Sequence, residues 1–208
     1  MCMMKKIVSV IIAIILISLV TIYALGYRGQ REFKGTDNTL PSIETVVANA
    51  RSLSGTPYDP LMGMYGNIGA KAGFIVCSDI PNIAYGLSGF SLRKMIEEDY
   101  KRNPSNYNSA SGNRPGNPYF HRRARNLYSY FKGNGLLLSP ETLPHIGDLV
   151  FYRTRPEGYI SHVALVTAVN DENYSVMESA PGIIFARERS SSSPVKRGYI
   201  IVGFGRVY

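Results

Sequence analysis

The stretch Gly147-Asp148-Leu149-Val150-Phe151-Tyr152, followed by Ser161-His162-Val163-Ala164-Leu165-Val166-Thr167-Ala168-Val169, decides the fold. Residues 149–152 and 162–169 are rich in Val, Leu and aromatic side chains, which suit a pleated, largely buried surface, so they read as two strands. Residues 175–178, 183–185 and 198–207 carry the same enrichment, and turn residues such as Asn170-Asp171 and Pro181-Gly182 separate them.

Upstream of Pro144 the pattern is helical. Ser42 can cap a helix whose apolar positions Ile43, Val46, Val47, Ala50 and Leu53 follow one helical face, with Gly55 and Pro57 ending it. After a Gly-rich loop over residues 60–73, Ile80, Ile83, Ala84 and Leu87 predict a second helix over residues 77–85. Pro81 falls near its first turn, where a missing N–H costs least, and Cys77 stands at its N-terminus. Residues 91–100 and 122–132 read as further helices, the latter stopped by Gly133 and Gly135, and residues 103–118 read as a long Asn-, Pro-, Gly- and Ser-rich loop. Helices first and strands after, without alternation or internal repeat, predict an α+β fold with an antiparallel sheet.

The 208 residues allow one domain plus a short extra segment. Apolar residues at 45% and charged ones at 18% are enough for a packed core and exclude a disordered chain. Lys5-Lys6 is followed by 19 uncharged residues, Ile7 to Leu25, close to the roughly 20 that cross a bilayer. Residues 1–27 are therefore expected to be a membrane anchor, with a cleaved signal as the alternative. Either leaves the lysines inside and exports the rest. Residues 28–40 read as a linker and 41–208 as the domain, facing the periplasm or cell exterior from the inner (cytoplasmic) membrane.

Cys2 precedes the apolar run, so Cys77 is the sole exported thiol: a reactive group, an intermolecular bridge or a buried structural residue. Of the net charge of +8, six units belong to the exported part, where wall polymers and lipid headgroups are the available polyanions. No nucleic-acid motif accompanies the charge.

A cysteine at a helix N-terminus sits where the macrodipole and free N–H groups stabilise a thiolate and can hold an oxyanion. Its base must be His121, His145 or His162. His145 lies in a turn, and His121 lies among arginines, where a surface or structural role is the expectation. His162 opens an apolar strand, either as the base or as a capped structural histidine. Glu178, which ends the next strand, is the candidate to orient the ring. Ser179 or an amide is the alternative, as is an exposed Glu with no role.

Gly55-Thr56-Pro57-Tyr58, Gly73-Phe74, Cys77-Ser78, Gly147-Asp148-Leu149-Val150-Phe151 and Ser161-His162-Val163-Ala164-Leu165 resemble, in order and spacing over about residues 43–186, the NlpC/p60 superfamily of cell-wall cysteine peptidases. Cys77-Ser78-Asp79, Glu98-Asp99-Tyr100, His121-Arg122-Arg123 and Asn126-Leu127 look most like a poorly characterised exported branch of it. The resemblance implies a papain-like core of helices packed on an antiparallel sheet, preceded here by one transmembrane helix.

It further implies Cys77 as nucleophile, His162 as base and Glu178 at the third position. Tyr58 would support the oxyanion, Ser78, Asp79 and Ser161 would stand around oxyanion and substrate, and Asp148 would fix the turn into its strand. Val76 departs from the family, which has an aspartate there that recognises the free amine of the stem peptide. Asp79 either replaces that charge or caps the helix.

The implied activity is cleavage of an amide in peptidoglycan stem peptides through a thioester. The other readings are an acyltransferase or amidase acting on lipid or protein amides, and a non-catalytic wall-binding module. The expected partners are peptidoglycan or its muropeptides and the membrane through residues 7–25. No nucleic acid, cofactor or metal is expected, and the chain is expected to be monomeric.

Overall fold

A computed structural model describes residues 2–26, 40–61, 73–110, 112–171 and 173–207. The linker expected over 28–40 and most of the Gly-rich loop over 60–73 lie outside the described residues. Helix α1 (Cys2–Gly26) covers the N-terminal apolar segment, and its described apolar side chains, from Ile7 to Val20, are exposed. Among the described residues no helix is long and apolar enough to cross a membrane. The expected transmembrane helix over 7–25 therefore finds no support in them.

Helix α2 (Ile43–Arg51) begins as expected, because the Ser42 hydroxyl accepts from the Thr45 N–H and its apolar face carries Val46, Val47 and Ala50 inward. Helix α3 (Asp79–Leu87) packs against α2 and β3, below. It starts two residues later than the spacing predicts: the Asp79 carboxylate accepts from the Val76 N–H at 2.8 Å and the Asp79 N–H bonds the Val76 carbonyl at 3.0 Å. That closed turn holds Cys77 just ahead of the helix. Helix α4 (Leu92–Arg102), capped by Ser91, and α5 (Ala124–Gly133) complete the helical layer.

The sheet follows. Strands β1 (Leu137–Leu138), β2 (Leu149–Arg153), β3 (His162–Val169), β4 (Tyr174–Glu178), β5 (Arg187–Ser190) and β6 (Ile200–Gly205) pair antiparallel in the order β1-β6-β2-β3-β4-β5. Residues 183–185 do not join it as expected: Phe185 only bridges Pro57, and the strand falls on Arg187–Ser190. That strand escapes pattern reading because it is a charged edge, with little of it buried, the composition that protects an open sheet edge. A short helix, α6 (Ser192–Lys196), then leads into β6.

Alternation splits the sheet residues between two clusters. Leu149, Phe151, Val163, Leu165 and Met177 join the helices, while Val150, Tyr152, Ala164, Val166, Val176 and Phe204 form a second core on the other face. Both sets are buried, each large side chain contributing about 2 kcal/mol of transfer free energy. Gly147 enters β2 with φ +95°, and a Cβ there would meet Ile43 Cδ1 at 2.5 Å, while the Tyr85 hydroxyl donates to its carbonyl at 2.8 Å. Asp148 accepts from the His145 N–H at 2.7 Å and pairs with Arg206 at 2.7 Å, which fixes the same turn.

Candidate active site

A short ladder positions Cys77. Tyr58 bridges Ile75 in parallel, the Asp59 N–H donates to the Ile75 carbonyl at 2.9 Å, and the Ser179 hydroxyl donates to the same carbonyl at 3.2 Å. The segment before Cys77 is thereby tied both to Tyr58 and to the end of β4. Since β3 and β4 run antiparallel with Leu165 opposite Met177, the end of β4 lies alongside the start of β3. His162 and Glu178 meet there, with His162 Nε2 and Glu178 Oε2 3.0 Å apart and both side chains buried. The partly buried Cys77 lies within hydrogen-bonding and electrostatic reach of the same ring. Glu178 occupies Nε2.

Burial alone would favour a neutral imidazole. The hydrogen bonds to Cys77 and Glu178, and the charges of both, outweigh it and lift His162 to about 9. Burial likewise raises Glu178, but His162 and Arg197 bring it below the ordinary carboxylate value. Arg197 Nη2 reaches both carboxylate oxygens, at 2.8 and 2.7 Å, and Arg189 stands 3.7 Å from one of them. Arg197 also lies over the Tyr199 ring at 4.9 Å, and that ring meets His162 edge-on at 5.2 Å, while Tyr152 stands 5.5 Å from the imidazole and 6.2 Å from Tyr199. The imidazole is held by a carboxylate at one nitrogen and packed by two tyrosine rings.

Tyr58 is half-buried beside Cys77. Burial first, then the influence of Cys77 and Asp59, pushes its hydroxyl well above the ordinary value, so at neutral pH it keeps its proton and remains a donor. The amides of Cys77 and Ser78 make no hydrogen bond among the described residues. Hydroxyl and amides together are hydrogen-bond donors next to Cys77, the kind of group that can hold an oxyanion.

The remaining expected residues are placed differently. The Ser78 hydroxyl is buried with no partner among the described residues, and Ser161 Oγ shares a hydrogen bond with Thr154 at 2.7 Å. Asp79 closes the Cys77 turn and pairs with Arg122 at 2.8 Å. Arg122 also binds Asp59 at 3.1 Å, forming a buried network next to Cys77. His121 is buried, not on the surface, and burial, then Arg93 and Arg122, lowers it to about 4, so it stays neutral. Its backbone carbonyl accepts from Asn82, which also donates to the Ser78 carbonyl.

Sequence reasoning did not find Arg197, Tyr199 or the pairing role of Arg122. No pattern in the sequence singles out these positions.

A family model described as "Domain of unknown function (DUF1287)" matches residues 56–183, and the chain belongs to that family. That span contains Tyr58, Cys77, His162 and Glu178. No curated protein matches. Among solved structures the chain is similar to an NlpC/P60 family protein from Bacillus cereus, at 16% identity with a TM-score of 0.48. The likeness covers 83% of this chain and 42% of that one, so the chain spans about two-fifths of that protein's length.

Proposed function

We propose that the chain is a cysteine hydrolase that cleaves an amide bond in peptidoglycan stem peptides through a Cys77 thioester. The observation that carries this reading is the buried His162–Glu178 pair, 3.0 Å apart, with Cys77 near enough to act on the same ring. Cys77 Sγ attacks the amide carbonyl while His162 holds the thiol's proton. Tyr58 and the amides of Cys77 and Ser78 hold the oxyanion, and the imidazolium then protonates the departing amine. Water, deprotonated by the same ring, releases the acyl group and restores the thiol. Glu178 stabilises the imidazolium in both halves, without itself taking the proton. The stem peptide as substrate rests on the motif resemblance set out above.

In this reading residues 41–208 form the catalytic domain outside the cytoplasm. Residues 1–27, with Lys5-Lys6 ahead of an uncharged run, direct its export and hold it at the inner membrane. Acid-quenching the full-length chain during reaction with muropeptides tests the chemistry. An acyl adduct on the peptide that contains Cys77 is the expected result, and turnover without any adduct under single-turnover conditions contradicts it.

A further inference from the structure

The loop before α5 and the first turn of α5 border a cleft of about 70 Å³, lined by Asn113, Asn117, Tyr119, Arg123 and Arg125 among others. A water takes up about 30 Å³ of liquid, so this is room for a group of a few heavy atoms. Two guanidinium groups face this space. Unlike the neighbouring Arg122, which is paired with Asp59 and Asp79, neither Arg123 nor Arg125 forms an ion pair among the described residues. Arg125 Nε is buried with no hydrogen-bond partner among them.

Each guanidinium lies against a ring, Arg123 over Tyr119 at 5.5 Å and Arg125 over Tyr159 at 5.4 Å. Stacking uses the flat faces and leaves the N–H edges open, the arrangement that suits bidentate binding of a carboxylate or phosphate. Burial, followed by the repulsion of Arg125, holds the Arg123 guanidinium below its ordinary value, and an anion bound there offsets that repulsion. Helix α5 begins at this point with no acidic residue in its first turn.

Two connections run from these arginines toward Cys77 and His162. Tyr159, which covers Arg125, precedes His162 in the same chain segment, and Asn82 links the His121 carbonyl, just before Arg122 and Arg123, to the Ser78 carbonyl beside Cys77.

We propose that Arg123 and Arg125 form an oxyanion-binding subsite that holds a carboxylate or phosphate of the substrate next to the bond attacked by Cys77. The placement relative to the scissile bond rests on the function proposed above; the binding of the anion does not. The subsite gives the enzyme a charge requirement: an anionic group on the substrate improves KM, and its removal leaves the chemistry of Cys77 intact.

The test uses the full-length chain in detergent, carrying Cys77→Ala so that nothing turns over. Binding is measured calorimetrically for inorganic phosphate, for a muropeptide stem with a free carboxylate, and for the same stem as its carboxamide. The carboxylate stem or phosphate should bind at least tenfold tighter than the carboxamide stem, and Arg123→Gln or Arg125→Gln should remove that preference. Arg114→Gln, an exposed position nearby, should leave it unchanged. Arg125→Lys, which keeps the charge but not the fork, should fall between, and unchanged thermal unfolding shows that the variants are folded.

Preference for the carboxylate stem assigns a peptide carboxylate, and preference for phosphate assigns a phosphate-bearing wall polymer. Equal binding of all three probes, or a preference that survives both Gln substitutions, overturns the subsite. In the Cys77-containing chain, muropeptide cleavage with KM unaltered by Arg123→Gln and Arg125→Gln would also overturn it while leaving the hydrolase reading intact. Anion binding lost in the variants, together with no cleavage at all, would sink the hydrolase reading and keep the site.

Discussion

Arg197 Nη2 holds both carboxylate oxygens of Glu178, at 2.8 and 2.7 Å, while Glu178 Oε2 faces His162 Nε2 at 3.0 Å. A buried carboxylate shared by two cations stays ionised, and its geometry toward the imidazole is fixed from behind. Arg197→Gln removes one cation and its charged hydrogen bonds. Stability should fall by about 2 kcal/mol. With Arg197 gone, the negative charge of Glu178 is felt more strongly by the imidazole, so the His162 titration should move upward. A pH profile unchanged from the parent, read beside the denaturation curve, would show that Arg197 does not act on the ring.

Substitutions within the series should follow the role of each group. Cys77→Ala removes the nucleophile and should leave only background cleavage. His162→Ala should cost about 10²–10⁴-fold or more, because both proton transfers lose their carrier. Glu178→Ala should be milder and Glu178→Gln milder still, since an amide can orient the ring although it does not neutralise Arg197. Initial rates on one muropeptide check the order. Unchanged turnover in Glu178→Ala would remove that residue from the site.

The raised value of His162 sets two pH dependences. The imidazolium, needed to protonate the leaving amine, is lost as pH rises through about 9, so kcat should fall there. Stability has the same sign: the folded value lies above the free imidazole's, roughly 6.5. The contribution of the pairing is complete below about pH 6.5 and disappears as pH rises through about 9. Denaturant midpoints between pH 6 and pH 10 should decline in the parent chain and stay flatter in His162→Ala. Parallel curves would contradict the assignment.

Tyr58→Phe keeps the ring and deletes a hydroxyl that remains protonated at neutral pH. Loss of one oxyanion donor typically costs about 10²–10³ in kcat. The expected signature is a fall in kcat with little change in KM. A change confined to KM would make Tyr58 a substrate contact.

Much of this was legible from local pattern. Ser42 and the spacing from Ile43 to Ala50 mark α2, because burial of one face writes a helical period, and the apolar run after His162 marks β3, because a strand buried on both faces reads as continuous apolar sequence. Glu178 was legible as the partner of His162, since antiparallel neighbours bring one strand's end to the other's start. Arg197 and Tyr199 were not, because they reach the site through the fold from the segment between β5 and β6. The burial of His121 and Arg122 was hidden for a related reason. Basic residues in sequence read as surface, and only the three-dimensional meeting with Asp59 and Asp79 takes Arg122 out of solvent. Asp79 needed the structure to show its carboxylate spent on the Val76 amide and on Arg122.

The most direct measurement incubates the full-length chain, and separately its Cys77→Ala variant, with defined muropeptides and weighs the products. The account predicts two fragments whose masses sum to the substrate plus one water, formed by the parent chain and absent with Cys77→Ala. Cleavage that survives Cys77→Ala, or muropeptides left intact by a folded parent chain whose Cys77 is still alkylated by iodoacetamide, would contradict it.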